Sequence, residues 1–289
     1  MNKRNRFTEK ETELLKEYWP TGNRDALAPV LTRHPWKSIK KKSNEIGLTR
    51  NRRGHPVNES FFSKWSPEMA YCLGYTFADG SIKGTKGKIS TWWFWNIYSS
   101  DKHIVQDISD AVGWEGKIHI SNRSDRYGKK TMYRLSIGSK KLIADLRKLG
   151  LTQNKTKTMQ PPNVPTKYLG HFMRGCFDGD GNIGWTKSKY ISVGIGSASY
   201  DFIDWAATII STTLGIKKPT ISKRSSIDFW SIRFAGYNAK RWLDFVYKDA
   251  TIFLKRKHNI YELSNKRGRH HSVVPKFTMS FHNRWSGHS

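Results

Sequence analysis

The chain has 289 residues and carries 51 Lys and Arg against 23 Asp and Glu, a formal net charge of +28. That excess calls for a polyanion: nucleic acid first, because each neutralised phosphate releases counterions, and a membrane surface second, disfavoured because no basic amphipathic helix or lipidation motif is present. Two cysteines, Cys72 and Cys176, exclude a disulfide framework and a four-cysteine zinc site, and hydrophobic residues, at 37%, suffice for a core without either.

Residues 1–50 read as a small all-helical head. Thr8 caps a first helix, with Glu11 three residues on completing a capping box. Leu14, Leu15, Tyr18 and Trp19 give it an apolar face, and Pro20 and Gly22 end it. A short second helix fits Asn23 to Leu31, and a third runs from Pro35 to Ile46, stopped by Gly47. Trp36, Ile39 and Ile46 face inward on the third helix, which turns Lys37, Lys40, Lys41 and Asn44 outward. Three short helices with a basic last one suggest a helix-turn-helix whose final helix enters the major groove, so those four residues are candidate DNA contacts. The plainer alternative is a helical bundle with a solvated basic face. The segment resembles the Myb-like helix-turn-helix family, where a tryptophan near the start of the third helix is a core residue; Trp36 would play that part.

Residues 51–63 read as a linker, since Arg52, Arg53, Gly54 and Pro56 break any periodicity. The body then states one plan twice, over residues 64–164 and 165–264, with a basic tail at 265–289. Ser66-Pro67-Glu68 starts a helix that runs to Ala78 and ends at Asp79-Gly80. A strand region, a helix near Ser100–Val112, strands near Gly116–Ser121 and Thr131–Ile137, and a helix near Lys140–Leu149 follow. Pro161, Pro162 and Pro165 mark the join. A helix from Thr166 then ends at Asp180-Gly181, followed by a strand near Ile191–Ile195, a helix near Asp201–Leu214, strands near Thr220–Lys223 and Phe229–Phe234, and a helix near Ala239–Val246. The two Asp-Gly ends stand roughly a hundred residues apart, the mark of a long internal repeat packed by pseudo-symmetry.

The late strands of each half alternate. Tyr133, Leu135 and Ile137 share one face and Arg134 and Ser136 the other; Trp230, Ile232 and Phe234 alternate with Ser231 and Arg233. A twisted antiparallel sheet with arginines on its open face can sit in a DNA groove, which makes Arg134, Ser136, Ser231 and Arg233 candidates. For either strand alone an ordinary solvated face is the commoner case.

Ala70, Gly74 and Ala78 form a stripe on the first helix of the body, and Gly175 and Gly179 repeat the spacing on its counterpart. Small residues at this interval let two helix backbones approach closely, so Ala70, Gly74 and Gly175 are candidate interface positions. Packed so, the two helices bring Asp79 and Asp180 together, where like charges repel unless a cation lies between them. Oxygen ligands with open positions suit Mg2+, with Mn2+ as the alternative, and such a site can activate water in phosphodiester cleavage. A single Asp-Gly is usually a turn; its duplication at the same boundary, with small stripes behind both, reverses that reading.

Cys72-Leu73-Gly74-Tyr75-Thr76-Phe77-Ala78-Asp79-Gly80 and Met173-Arg174-Gly175-Cys176-Phe177-Asp178-Gly179-Asp180-Gly181 resemble the two signature motifs of the single-chain LAGLIDADG homing endonucleases, a resemblance that covers residues 60 to 265. It implies an α+β fold of two pseudo-symmetric αββαββα-like halves, whose antiparallel sheets form a saddle over DNA with the motif helices at its centre. It implies metal binding by Asp79 and Asp180, with the carbonyls of Ala78 and Gly179 contributing, and cleavage of both strands across the minor groove. The partner implied is double-stranded DNA with a long target site, bound by a monomer. A basic residue from each half would stand near the reacting phosphates; Lys155 and Lys257 match best, with Lys157, Lys255 and Arg256 competing, and a solvated surface lysine an equal reading. The first motif departs from the second at Phe77, where Asp178 stands, so Asp178 reads as structural and the two cysteines as packing residues.

Three other readings rank lower. Asp178-Gly179-Asp180-Gly181-Asn182 matches the start of an EF-hand loop but fails at Ile183 and Lys189. No paired spacing supports a histidine nuclease at His258 or His282. The serious competitor is a non-cutting DNA-binding regulator or an intron-RNA maturase on the same scaffold; both motif acids are present, which favours the enzyme. The longest apolar stretch, Thr91 to Tyr98, is too short to span a bilayer, and no apolar leader follows Met1, so the expectation is an intracellular protein in the cytoplasm or on the nucleoid.

Overall fold

Local signals set the helix starts. In the computed structural model, which describes residues 6–19, 27, 29–48, 55–86, 91–125, 128–153, 155, 158–224 and 227–267, the chain divides into two units, Met1–Pro56 and Val57–Ser289. In the first, α1 (Glu9–Tyr18) opens on the capping box: Glu11 N–H donates to Thr8 Oγ1 at 3.2 Å, and Thr8 N–H donates to Glu11 Oε2 at 2.8 Å. Glu11 also accepts two bonds from the Arg33 guanidinium, at 2.9 and 2.8 Å. Helix α2 (Trp36–Glu45) packs Ile39 into a core with Leu15, Trp19, Leu27 and Leu31, while Trp36 sits partly buried at its edge. The expected second helix, Asn23 to Leu31, and the stop at Pro20 and Gly22 lie largely outside the described residues; α1 ends at Tyr18 with Trp19 as its C-cap.

The second unit begins inside the stretch the sequence assigns to a linker. Phe61 and Phe62 form a 3-10 turn, Phe61–Ser63, and are buried in the body's core. Asn58 N–H donates to the Val112 carbonyl at 2.9 Å, and Ser63 Oγ to Asp145 at 2.7 Å. Two adjacent phenylalanines outweigh the turn signals before them, because each buried aromatic contributes roughly 1.5–3 kcal/mol.

Ser66 caps α3 (Pro67–Asp79), accepting from Met69 N–H at 3.1 Å, with Pro67 in the first turn. Strands β1 (Gly80–Lys86), β2 (Thr91–Ser99), β3 (His119–Asp125) and β4 (Gly128–Ile137) form one antiparallel sheet in the order β1-β2-β4-β3. Helices α4 (Lys102–Ala111) and α5 (Lys140–Lys148) follow its two hairpins. The second half repeats the plan: α6 (Leu169–Asp180), β5 (Asn182–Trp185), β6 (Ile191–Ser197), α7 (Tyr200–Leu214), β7 (Ser222–Lys223), β8 (Trp230–Ala235) and α8 (Gly236–Tyr247), with sheet order β5-β6-β8-β7. One core holds both halves, with Trp95, Leu135 and Leu146 from the first and Ile195, Ile232 and Trp242 from the second. The architecture is α+β with two antiparallel four-stranded sheets.

Two elements go beyond the sequence reading. Strand β5 is short, preceded by Gly181 and containing Gly184, which masks its alternation. Helix α9 (Lys255–Arg267) takes in the first residues assigned to the tail; residues 268–289 lie outside the described ones. Its sequence, KRKHNIYELSNKR, lacks an apolar stripe because a lysine, Lys257, is among its buried residues. No described helix is long and apolar enough to cross a membrane.

Candidate active site at the paired helix ends

Helices α3 and α6 meet backbone to backbone. A Cβ on Gly74 would lie 2.0 Å from the Phe172 carbonyl oxygen, one on Gly175 2.2 Å from that of Tyr71, and one on Gly179 2.3 Å from the Ala78 Cβ. Ala70 is wholly buried on α3. These contacts carry the C-terminal ends of both helices to the same place, where Asp79 and Asp180 are the last helical residues and both are half-buried. A helix C-terminus carries partial negative charge, so two carboxylates there create a locus that favours cations.

A lysine stands behind each end. Lys155 is 8% exposed and donates from Nζ to the Ala78 carbonyl at 3.3 Å. Burial lowers its pKa, while the charges of Asp180 and Asp79 pull it back up. Lys257 is 2% exposed and donates to the carbonyls of Phe177, Asp178 (2.9 Å) and Gly181 (2.6 Å). An ammonium has three protons, and all three are committed to the end of α6. Burial pushes its pKa down to about 7 against the opposing pull of Asp178. Of the competing bases, Arg256 donates to Asp101 at 3.2 Å, Lys255 is exposed, and Lys157 lies outside the described residues.

Asp178 faces away from this locus. Its fully buried carboxylate accepts from Tyr71 Oη at 2.9 Å, Tyr247 Oη at 2.8 Å and Leu254 N–H at 2.8 Å. Burial pushes its pKa up, the lysine and the three donors pulling the other way. Buried Arg174 donates to the carbonyls of Ile252 at 2.9 Å and Val246 at 3.0 Å. Together they fasten the segment before α9 to α6, which sets where Lys257 begins its reach. Arg174, Tyr71 and Tyr247 carry no local signal of this network, because their partners lie about 70 to 107 positions away. Cys72 and Cys176 are buried, and burial raises both thiols.

Among the described residues no three His, Cys, Asp or Glu cluster as a metal cage. The protein offers two carboxylates and helix-end carbonyls, an all-oxygen donor set, which fits Mg2+ better than Zn2+. The Ala78 carbonyl is shared with Lys155; Gly179 is buried against Ala78.

The strand register fixes the open sheet faces. Arg134 stands opposite Tyr98 and His119, and Ser136 opposite Asn96. Arg233 stands opposite Gly194, and Ser231 opposite Gly196 and Ser222. Arg233 is exposed and the other three half-buried. Lys83, opposite Phe94, shares the first open face, as does Trp92 two residues along β2. The sequence reading missed both: β2 is apolar on its two faces, TWWFWNIYS, so no alternation betrays an open side. In the head, Lys37, Lys40, Lys41 and Asn44 are all exposed on α2, with Lys41 Nζ 3.9 Å from Glu45.

A LAGLIDADG-like domain is matched over residues 66–150. No protein of curated function matches the chain. Among solved structures, the chain is similar to the homing endonuclease I-WcaI bound to its DNA recognition sequence, at 15% identity over 76% of this chain and 97% of that one, with a TM-score of 0.50. It is similar to mesophilic variants of the homing endonuclease I-DmoI (16% identity, 67% and 98%, TM-score 0.45). It is also similar to the meganuclease I-SmaMI bound to uncleavable DNA (12% identity, 70% and 90%, TM-score 0.45). At 15% identity the likeness to I-WcaI is one of fold.

Proposed function

We propose that this chain is a site-specific, metal-dependent DNA endonuclease of the LAGLIDADG type that cuts both strands of a long target as a monomer. The observation that carries the reading is the meeting of Asp79 and Asp180 at the abutting ends of α3 and α6, each with a buried lysine behind it. Asp79 and Asp180 would hold a divalent ion with helix-end carbonyls. Bound there, Mg2+ or Mn2+ supplies Lewis acidity toward a phosphodiester. Lys155, whose charge both aspartates feel, adds positive charge beside the phosphate. Lys257 acts as a positioning residue: it fixes the last turn of α6 and so the direction of Asp180. The open sheet faces, with Arg134, Ser136, Ser231 and Arg233, would lie along the major groove, and α2 of the head would add contacts through Lys37, Lys40, Lys41 and Asn44 in the manner of a helix-turn-helix.

The test is a map of new ends after the protein is incubated with Mg2+ and genomic DNA. One dominant site with short staggered 3′ ends, lost on chelation, is the expected result. No enriched ends, with salt-sensitive nucleic-acid binding intact, would replace this reading with a non-cutting DNA or RNA binder.

A further inference from the structure

The two sheets present different chemistry on their open faces. The first offers Lys83, Trp92, Tyr98, Arg123, Lys130 and Arg134, placed together by the register. Trp92 is 58% exposed, a large apolar surface left toward solvent. Strands β1 to β4 contain a single acid, Asp125, at the far end of the β3–β4 hairpin. Long cationic and aromatic side chains on one face can reach base edges: arginine pairs with guanine O6 and N7, and apolar groups meet the thymine methyl.

The second face is made of short residues. Gly184, Gly194, Gly196, Ser192, Ser222 and Ser231 occupy the matching positions, with the exposed amide of Asn182 opposite Gly194, and Arg233 is the lone cation among them. The Phe229 ring lies over Gly196, where a Cβ would come within 2.3 Å of it. Strand β7 is only two residues long. Apart from Arg233, the cations in and next to these strands stand at strand ends: Lys187 and Lys189 in the β5–β6 turn, Lys223 as the last residue of β7 and Arg224 just after it. Lys223 is already paired with Asp228 at 3.1 Å. Cations at sheet rims meet phosphates, and phosphate contacts set register without reading sequence.

We infer that the two halves divide the target unequally: the first sheet reads bases, and the second half anchors the DNA through its backbone. This rests on the DNA-binding reading above. The experiment selects cleaved sites with the full chain and Mg2+ from a duplex library randomised across both half-sites, then repeats the selection with Arg134→Gln and Arg233→Gln. The expected result is one half-site strongly fixed, each mismatch there lowering cleavage about tenfold or more. Arg134→Gln then relaxes one position within that half, and Arg233→Gln lowers cleavage evenly without changing preference. Equal constraint in both halves, or a strong half whose preference shifts with Arg233→Gln, overturns the division while leaving the nuclease intact. Selection of no sequence at all overturns the nuclease reading with it.

Discussion

The C-terminal ends of the two motif helices occupy matching places but are held differently. At the first, Phe77 packs into the core against Phe172 and Phe202, and Lys155 reaches one carbonyl from an irregular turn. At the second, Asp178 replaces the phenylalanine, gathers two tyrosine hydroxyls and a backbone N–H, and Lys257 reaches three carbonyls from a helix. An apolar anchor and a buried polar network thus hold equivalent aspartates. What the halves share is the glycine-lined contact and the terminal carboxylate; what differs is the support behind them. A duplicated scaffold can exchange packing for polar fastening when most of the buried donors and acceptors find partners; here Arg174 Nη2 is a buried donor that finds none.

The largest effect expected is on the feature common to both halves. Gly175→Leu places a side chain where even a Cβ would sit 2.2 Å from the Tyr71 carbonyl and 2.5 Å from the Tyr75 nitrogen. Backbone cannot yield as a side chain can, so stability should fall by about 3 kcal/mol, read as a lower midpoint in urea. A midpoint near that of the parent would mean the helices do not touch as described.

The lysines then separate the halves. Lys257→Met removes the ammonium that three carbonyls share, that of Phe177 keeping its bond from Gly181 N–H at 2.8 Å, and should cost about 3 kcal/mol. Lys155→Met should cost less stability but slow cleavage of a bound target. Comparable losses of stability from both would erase the distinction. The same contrast has a pH signature. The folded Lys257 pKa, about 7, lies below its ordinary value of 10.5. Between those limits the unfolded chain holds the proton that the folded chain has lost, so stability rises as pH rises. Denaturant midpoints across that window should climb in the parent more steeply than in Lys257→Met; identical slopes would count against a buried, shifted lysine.

The smallest effect concerns the head. Removing residues 1–56 should weaken DNA affinity by about tenfold and lower its salt dependence while leaving the body's unfolding unchanged. Aggregation of the shortened chain would argue that the two units are not independent.

Much of this contrast was legible in the residues themselves. The twin Asp-Gly ends, the small-residue stripes and the alternation of β4 and β8 come from local period and spacing, which sequence carries directly. The supports behind the aspartates were not. Asp178 finds its donors at Tyr71, Tyr247 and Leu254, and Arg174 its acceptors at Val246 and Ile252, so only the tertiary fold names the pairs. For Lys257 a phosphate-facing and a solvated reading stand level in the sequence, because an exposed and a buried lysine look alike there; its helix is hidden for the same reason. The first sheet's open face escaped because β2 is aromatic on both sides.

The most direct measurement pairs cleavage with binding at the mapped site, comparing the parent with the double variant Asp79→Asn, Asp180→Asn in Mg2+. The account predicts that double-strand cleavage falls by more than about a hundredfold while the Kd for the target stays close to that of the parent. Cleavage at the same site that survives both substitutions would contradict it, because no other pair of carboxylates is assigned that task.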